Sequence, residues 1–203
     1  MAFIATDSPL DAQGDVRAMY ARQQSKYGYV PNYAKVFCHR PEIMGLWAEL
    51  QKGIRRHIEP RRFELVTFAA AHALRNTYCS LAHGMALTKF FPPDAVRAIA
   101  GDPRRAALTP AEAAMVEFAR KVAVDAAAVT AEDVAALERH GFTDAEIFDI
   151  AAAAAARAFF TKLLDGLGAE PDASLSAIEA ELGVAVRGGR PVDGGEPERL
   201  HEG

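Results

Sequence analysis

A cysteine and a histidine, Cys79 and His83, stand four residues apart in a stretch with a helical pattern. Side chains at this spacing lie on one face of a helix, one above the other, so a thiol and an imidazole could share a proton there. The thiolate is the reactive form of cysteine, and a neighbouring histidine lowers the pKa of the thiol. We therefore expect Cys79 to be the more reactive of the two cysteines, with a pKa below its usual value of about 8.5.

A third polar residue, Glu64, lies one helix upstream and could orient the His83 imidazole as the last member of a relay. Each residue also has a plainer explanation. A lone cysteine is commonly a small buried hydrophobic residue, and a lone histidine commonly bonds a backbone carbonyl. Glu64 follows Pro60 by four residues, near the start of a helix, where an acidic side chain is favourable. The combination of the three residues, rather than any one of them, predicts a catalytic site.

The spacing resembles a motif of the alkylhydroperoxidase AhpD-like, or carboxymuconolactone decarboxylase, family. In that motif a glutamate and eleven further residues precede C-x-x-C-x-x-x-H. Glu64, Cys79 and His83 match the glutamate, the second cysteine and the histidine. Asn76 stands where the family has its first cysteine.

The resemblance extends over most of the chain, from about residue 10 to about residue 180. Residues 27–36 are similar to the family's N-terminal segment, and residues 144–160 are similar to its C-terminal core helix. The resemblance implies an all-α fold, an AhpD-like helical bundle, that is oligomeric as a homotrimer or homohexamer.

For activity, the resemblance implies a cysteine-dependent peroxidase that requires no cofactor. Glu64 would hold His83, His83 would accept the Cys79 proton as a general base, and the thiolate would attack a hydroperoxide to form a sulfenic acid. Two-cysteine relatives then close a disulfide, which Asn76 prevents here. Turnover would need an external thiol, Cys38, or a Cys79–Cys79 contact between subunits.

Two other functions stay open. A carboxymuconolactone decarboxylase-like lyase or isomerase would act on a small organic acid through His83 and Glu64. A non-enzymatic thiol sensor would change its assembly when Cys79 is oxidised. The presence of Cys79 argues against the lyase, whereas the missing cysteine at residue 76 argues against efficient disulfide cycling.

Three more polar residues, Tyr78, Asn76 and His72, are candidate substrate-binding residues. Tyr78 could donate a hydrogen bond to a peroxide or a carboxylate, although packing is the simpler role. Asn76 could bind substrate or cap the motif helix, since asparagine is a favoured N-cap. His72 lies within about a quarter turn of Glu64 on a helix, but its alanine neighbours indicate a core position. The Cys-x-x-x-His spacing is not a typical zinc motif, and we predict no metal site.

Apolar periodicity, prolines and capping residues predict helices through nearly the whole chain, and no strand. Start signals are clearest at Thr109 and Thr143, and glycines at 166 and 168 predict the end of the longest helix. The predicted helices cover residues 10–26, 32–38, 42–57, 61–75, 77–89, 94–100, 109–124, 130–141, 144–164 and 174–182.

Composition excludes several classes of protein. The 203 residues are 50% hydrophobic, enough for one sizeable core, and a net charge of -4 disfavours nucleic-acid binding. No apolar run approaches the roughly 18 residues of a membrane span. The N-terminus lacks the features of a signal peptide, and with two distant cysteines we expect a cytoplasmic protein with reduced thiols. Residues 186–203 are rich in glycine, proline and charge, which predicts a disordered tail behind a domain of residues 1–185.

Overall fold

The computed structural model describes residues 2–103, 106–183, 186 and 188–200. This part of the chain contains α-helices and short 3-10 turns and no strand, which confirms the all-α class. None of its helices is long and apolar enough to cross a membrane. The α-helices are α1 (Gly14–Tyr27), α2 (Asn32–Val36), α3 (Pro41–Arg55), α4 (Pro60–Ala73), α5 (Thr77–Leu87), α6 (Pro93–Gly101), α7 (Pro110–Asp125), α8 (Ala131–Arg139), α9 (Asp144–Leu167) and α10 (Ser176–Leu182).

Several helices begin and end where local chemistry requires it. Thr109 and Thr143 each start a helix with a capping box, in which the hydroxyl accepts a backbone N–H bond and a glutamate three residues later bonds back. Gly168 ends α9 in the left-handed conformation at φ +78°, which glycine adopts without strain. Helix α9 therefore runs three residues beyond the predicted end at residue 164.

Helix α4 is the centre of the bundle and packs against α5, α7 and α9. Every residue from Phe63 to Ala71 is buried, as expected for a helix enclosed on all sides. Each large apolar side chain buried there contributes about 1.5–3 kcal/mol. Glu64 is the charged residue within this buried stretch. A buried carboxylate needs hydrogen-bonding or charged partners, so polar groups must surround Glu64 inside the bundle.

The C-terminal segment of residues 188–200, here called the strap, follows a defined path over the helices. The backbone N–H groups of Gly188 and Gly189 donate to Thr77 Oγ1 at 3.3 and 2.9 Å, and Val30 N–H donates to the Glu198 carbonyl at 2.9 Å. The sequence predicted a disordered tail over residues 186–203, of which residues 187 and 201–203 lie outside the described residues. The glycines at 188 and 189 allow the close backbone approach of these contacts, and the disorder of the tail stays a prediction.

Candidate active site

Glu64 lies inside the bundle and has a partner for each carboxylate oxygen. Its Oε2 atom lies 2.7 Å from His83 Nδ1, and its Oε1 atom accepts a bond from Arg55 Nη2 at 2.6 Å. Burial raises the pKa of Glu64, but the His83 hydrogen bond and the nearby positive charges outweigh it, and the net pKa is lowered. Glu64 is therefore a carboxylate at neutral pH.

His83 projects from α5 toward α4, where it meets Glu64. Its Nδ1 atom also lies 3.2 Å from Thr67 Oγ1, whose hydroxyl donates to the Phe63 carbonyl at 2.8 Å. Burial, and next the charge of Arg157, lower the pKa of His83 despite the opposing effect of Glu64. A neutral ring with its Nδ1–H donated to Glu64 has its lone pair on Nε2, so Nε2 is the basic atom of this pair.

Cys79 lies one turn before His83 on α5 and is buried. Among the described residues, the group that donates a hydrogen bond to its Sγ atom is Nη1 of Arg157, at 3.6 Å, and not the His83 ring. Burial raises the pKa of the Cys79 thiol, and Arg157 lowers it by a smaller amount. The sequence-based prediction of a lowered pKa is therefore wrong, because full desolvation of a thiolate outweighs a single nearby cation.

Arg157, on α9, is a residue of this cluster that the sequence reasoning missed. It is only 7% exposed, and its guanidinium lies 5.7 Å from the Trp47 ring centroid and 5.4 Å from that of Phe160. Its Nε atom is buried without a hydrogen-bond partner. Local sequence carries no signal for this burial, because an arginine within an alanine-rich helix is usually exposed to solvent.

Asn76 stands at the N-cap of α5, where the family motif has a cysteine. Its Oδ1 atom accepts the backbone N–H of Cys79 at 2.7 Å, and its side chain also bonds Asp165. These contacts match the capping role that the sequence favoured. They also fix the first turn of α5, which carries Cys79.

The structure does not bring Tyr78 to the Cys79 cluster as a substrate-binding residue. Its hydroxyl donates to the Asp172 carboxylate and accepts the Tyr33 backbone N–H at 3.3 Å. Burial, and then the charge of Asp172, raise the pKa of Tyr78 well above its usual range. The ring also packs on Tyr33, with centroids 5.9 Å apart. These contacts favour the packing role.

His72 is likewise placed away from Glu64. Its ring stacks on Phe68 at 5.9 Å, and burial, with a contribution from Arg120, lowers its pKa. Cys38 accepts a bond from the Asp7 backbone N–H at 3.4 Å and is a free thiol, as is Cys79. Within the described ranges, no three His, Cys, Asp or Glu side chains converge in a way that could hold a metal ion.

The cluster thus combines a thiol, a neutral imidazole held by a carboxylate, and a buried cation. Helix α5 supplies the thiol and the imidazole, α4 supplies the carboxylate, and α9 supplies the cation. Such a set can move a proton through the imidazole and stabilise negative charge at the sulfur or on a bound molecule.

The comparison with protein families agrees with the motif. The model of the carboxymuconolactone decarboxylase family matches residues 41–121, which include α4 and α5 and therefore Glu64, Cys79 and His83. The solved structures described next share the AhpD-like fold, so the resemblance predicted from the sequence is confirmed. The family model and the AhpD-like neighbours therefore support the family that the motif indicates, with the model's match confined to residues 41–121.

Three solved structures illustrate the range of this fold. An AhpD-core, uncharacterized peroxidase-related protein from Ralstonia eutropha JMP134 is 25% identical at a TM-score of 0.76, over 90% of this chain and 97% of that chain. A peroxidase-related protein from Silicibacter sp. TM1040 is 22% identical at a TM-score of 0.71, over 85% and 97%. A cysteine-to-alanine variant of the debrominase Bmp8, in complex with 2,3,4-tribromopyrrole, is 17% identical at a TM-score of 0.73, over 90% and 100%. None of the curated proteins matches the chain.

Proposed function

We propose that this protein is a cysteine-dependent peroxidase that reduces hydroperoxides through Cys79. The observation that supports the proposal most strongly is the buried His83–Glu64 pair, at 2.7 Å, one helical turn from a buried thiol that contacts Arg157. A buried carboxylate and imidazole held in this way are an acid–base pair, and the thiol is the nucleophile that such a pair would serve.

The reaction begins with transfer of the Cys79 proton to Nε2 of His83. The thiolate then attacks the distal oxygen of the hydroperoxide, so that the S–O bond forms as the O–O bond breaks. The departing alkoxide takes the proton from His83 and leaves as an alcohol. The sulfur loses two electrons and becomes a sulfenic acid, and the hydroperoxide gains them.

The burial of Cys79 fits this sequence of steps. Because its pKa is raised, the resting residue is a neutral thiol, which is a poor nucleophile. The proton leaves when the imidazole accepts it, and Arg157 stabilises the negative charge that this transfer creates.

The return to the thiol requires a reductant from outside the cluster. Asn76 stands where a resolving cysteine would lie, and both cysteines are free thiols. One external thiol condenses with the sulfenic acid and releases water, and a second reduces the resulting mixed disulfide. We therefore propose an external thiol, either a small molecule or a protein, as the electron donor.

The test is the consumption of organic hydroperoxide by the reduced protein in a single turnover. The wild type should consume one equivalent for each site, and Cys79→Ser should consume none. Cys38→Ser is the matched control and should behave as the wild type. Consumption by Cys79→Ser equal to that of the wild type would remove the peroxidase proposal.

The lyase alternative keeps a supporting observation, since the family model is that of carboxymuconolactone decarboxylases and the His83–Glu64 pair stands without the sulfur. The two functions differ in the residue on which they depend. A lyase or isomerase acting on a small organic acid would retain its activity in Cys79→Ser and lose it in His83→Ala.

A further inference from the structure

Arg157 has a buried positive charge that the protein itself leaves incompletely paired. Its one side-chain hydrogen bond among the described residues goes to the neutral thiol of Cys79, at 3.6 Å. No carboxylate in the same part of the chain lies within ion-pair distance of it, and its Nε–H has no acceptor. The rings of Trp47 and Phe160 offset only part of the cost of burying a guanidinium.

The carboxylates that could neutralise this charge are already engaged. Glu64 accepts bonds from Arg55 on one oxygen and from His83 on the other. Asp165, which lies close enough to influence Cys79, accepts a hydrogen bond from Asn76. Glu64 lies close enough for its charge to act on Arg157, but neither carboxylate accepts a hydrogen bond from the guanidinium. The unpartnered Nε–H therefore remains a donor for an anion from another molecule.

We propose that Arg157 is the anion-binding residue of this site and that it holds the carboxylate of an acid substrate beside Cys79. A guanidinium binds carboxylates through parallel N–H donors, and the unpartnered Nε–H is one such donor. The other end of the same planar group contacts Sγ. A carboxylate bound at Arg157 therefore lies a few atoms from the sulfur, and the substrate carries its reactive group close to its acid group.

The binding of a carboxylate by Arg157 does not depend on the proposed function. The identification of that carboxylate as the substrate does rest on it. For a peroxidase, it specifies hydroperoxides that bear a carboxylate near the peroxide oxygens. Arg157 binds and orients such a molecule, and the chemistry stays with Cys79 and His83.

The first test measures binding without any reaction. Thermal unfolding is followed in acetate and benzoate, and in the matched neutral amides acetamide and benzamide, at constant ionic strength. A ligand that binds only the folded state raises the melting temperature. The carboxylates should raise it for the wild type and not for Arg157→Met, and the amides should raise it for neither. Equal shifts in the two proteins, or no shift in the wild type, would overturn the proposal.

Arg157→Lys covers the case in which the methionine variant does not fold. Lysine keeps the charge and lacks the Nε–H, so the same shift in melting temperature should require a several-fold higher carboxylate concentration. If the lysine variant responds as the wild type does, the role given to Nε is wrong.

The second test uses Cys79 as the reporter. Iodoacetate and iodoacetamide differ only in carrying a carboxylate or an amide next to the carbon that the sulfur attacks. For the folded protein, the rate of Cys79 alkylation by iodoacetate is divided by the rate with iodoacetamide. This ratio is then divided by the same ratio for the unfolded protein. The normalised ratio should exceed one in the wild type and fall to one or below in Arg157→Met. A normalised ratio that does not depend on Arg157 would contradict the proposal. Because neither test uses peroxide, their failure is distinguishable from failure of the peroxidase proposal.

Discussion

Two opposing effects act on the thiol of Cys79. Burial raises its pKa, and the neighbouring Arg157 lowers it, with burial the larger effect. His83, one turn along α5, is held by Glu64, and within the described part of the chain it makes no hydrogen bond to the sulfur. At the scale of single residues, the positive charge that favours the thiolate is therefore that of Arg157 on α9.

The first prediction follows from the sign of this effect. Arg157→Met removes the group that lowers the Cys79 pKa, so the pKa rises further and less thiolate is present at any given pH. The profile of alkylation rate against pH, measured with neutral iodoacetamide, should move to higher pH. At neutral pH the rate should fall about tenfold if the pKa rises by about one. His83→Ala should move the profile less. A larger effect of His83→Ala than of Arg157→Met would restore the histidine as the main activator.

A second prediction concerns Asn76, which occupies the position of the family's first cysteine. In Asn76→Cys the new thiol stands three residues before Cys79 at the start of α5, where side chains at i and i+3 lie side by side, so we expect the two sulfurs to come within reach of each other. Loss of the cap should destabilise the reduced protein by about 1 kcal/mol. Peroxide treatment should then form a disulfide with Cys79 and raise peroxide turnover with dithiols.

The measurements are the free-thiol count after peroxide treatment and the rate of dithiol-dependent turnover. Asn76→Ser is the matched control, because serine resembles cysteine in size, caps the helix and cannot form a disulfide. If the wild type or Asn76→Ser cycles as fast as Asn76→Cys, the missing cysteine does not limit turnover.

At the scale of elements, the strap covers the start of α5. A Cβ atom added at Gly188 would lie 2.6 Å from the Cα atom of Arg75, and one at Gly189 would lie 2.6 Å from the Arg75 carbonyl oxygen. Backbone atoms cannot move aside as a flexible side chain can. Arg75, in the connection between α4 and α5, has a positive φ of 60°, which is a strained conformation for a residue other than glycine. The backbone is therefore constrained both in this connection and in the strap that packs on it.

We predict that Gly188→Ala displaces the strap from Thr77. Cleavage by trypsin after Arg199, the strap arginine that Leu200 follows, should become faster, and alkylation of Cys79 should become faster as the start of α5 is uncovered. Gly194→Ala is the matched control in the same segment, since nothing lies within 4 Å of a Cβ atom added there. Equal cleavage rates for the two variants would show that the strap does not depend on this contact.

The elements differ in how far the sequence predicts them. Helix starts at Thr109 and Thr143 follow from local capping chemistry. The helices that carry Glu64, Cys79 and His83 follow from apolar patterns and from Pro60 and Asn76 at their starts. The pairing of Glu64 with His83 is a contact that motif spacing could suggest.

The contribution of Arg157 and the direction of the Cys79 pKa could not be predicted in the same way. Both depend on how deeply a side chain is buried and on what α9 brings across from a distant part of the chain, about which local patterns carry no information. The contacts of the strap are not readable from sequence for a related reason. Its composition is that of a flexible segment, and its order comes from tertiary contacts with Thr77 and Val30.

At the scale of the whole molecule, α3 and α9 both expose large apolar side chains. Leu46 is 70% exposed and Phe148 is 71% exposed. Phe159 of α9 is also exposed, and its ring lies 5.7 Å from that of Trp47 on α3, measured between centroids. The two helices therefore contact each other at this pair of rings. Exposed apolar surface of this kind commonly marks an interface, so it supports the homo-oligomer that the family resemblance implies.

We therefore predict that Leu46→Glu combined with Leu50→Glu dissociates the assembly. Light scattering should give a multiple of 21.9 kDa for the wild type and 21.9 kDa for the double variant. Leu10→Glu, at an exposed leucine outside α3 and α9, should leave the mass unchanged. A wild type that is monomeric at all concentrations would contradict this prediction.

The central claim, that Cys79 is the residue that reacts with peroxide, is tested most directly by mass spectrometry. The reduced protein is treated with one equivalent of an organic hydroperoxide in the presence of a reagent that traps sulfenic acids. We predict that the trapped adduct forms on the Cys79 peptide, that the Cys38 peptide stays unmodified, and that His83→Ala slows formation of the adduct. Recovery of Cys79 as an unmodified thiol while the hydroperoxide is consumed, or an adduct that forms on Cys38 instead, would contradict the account.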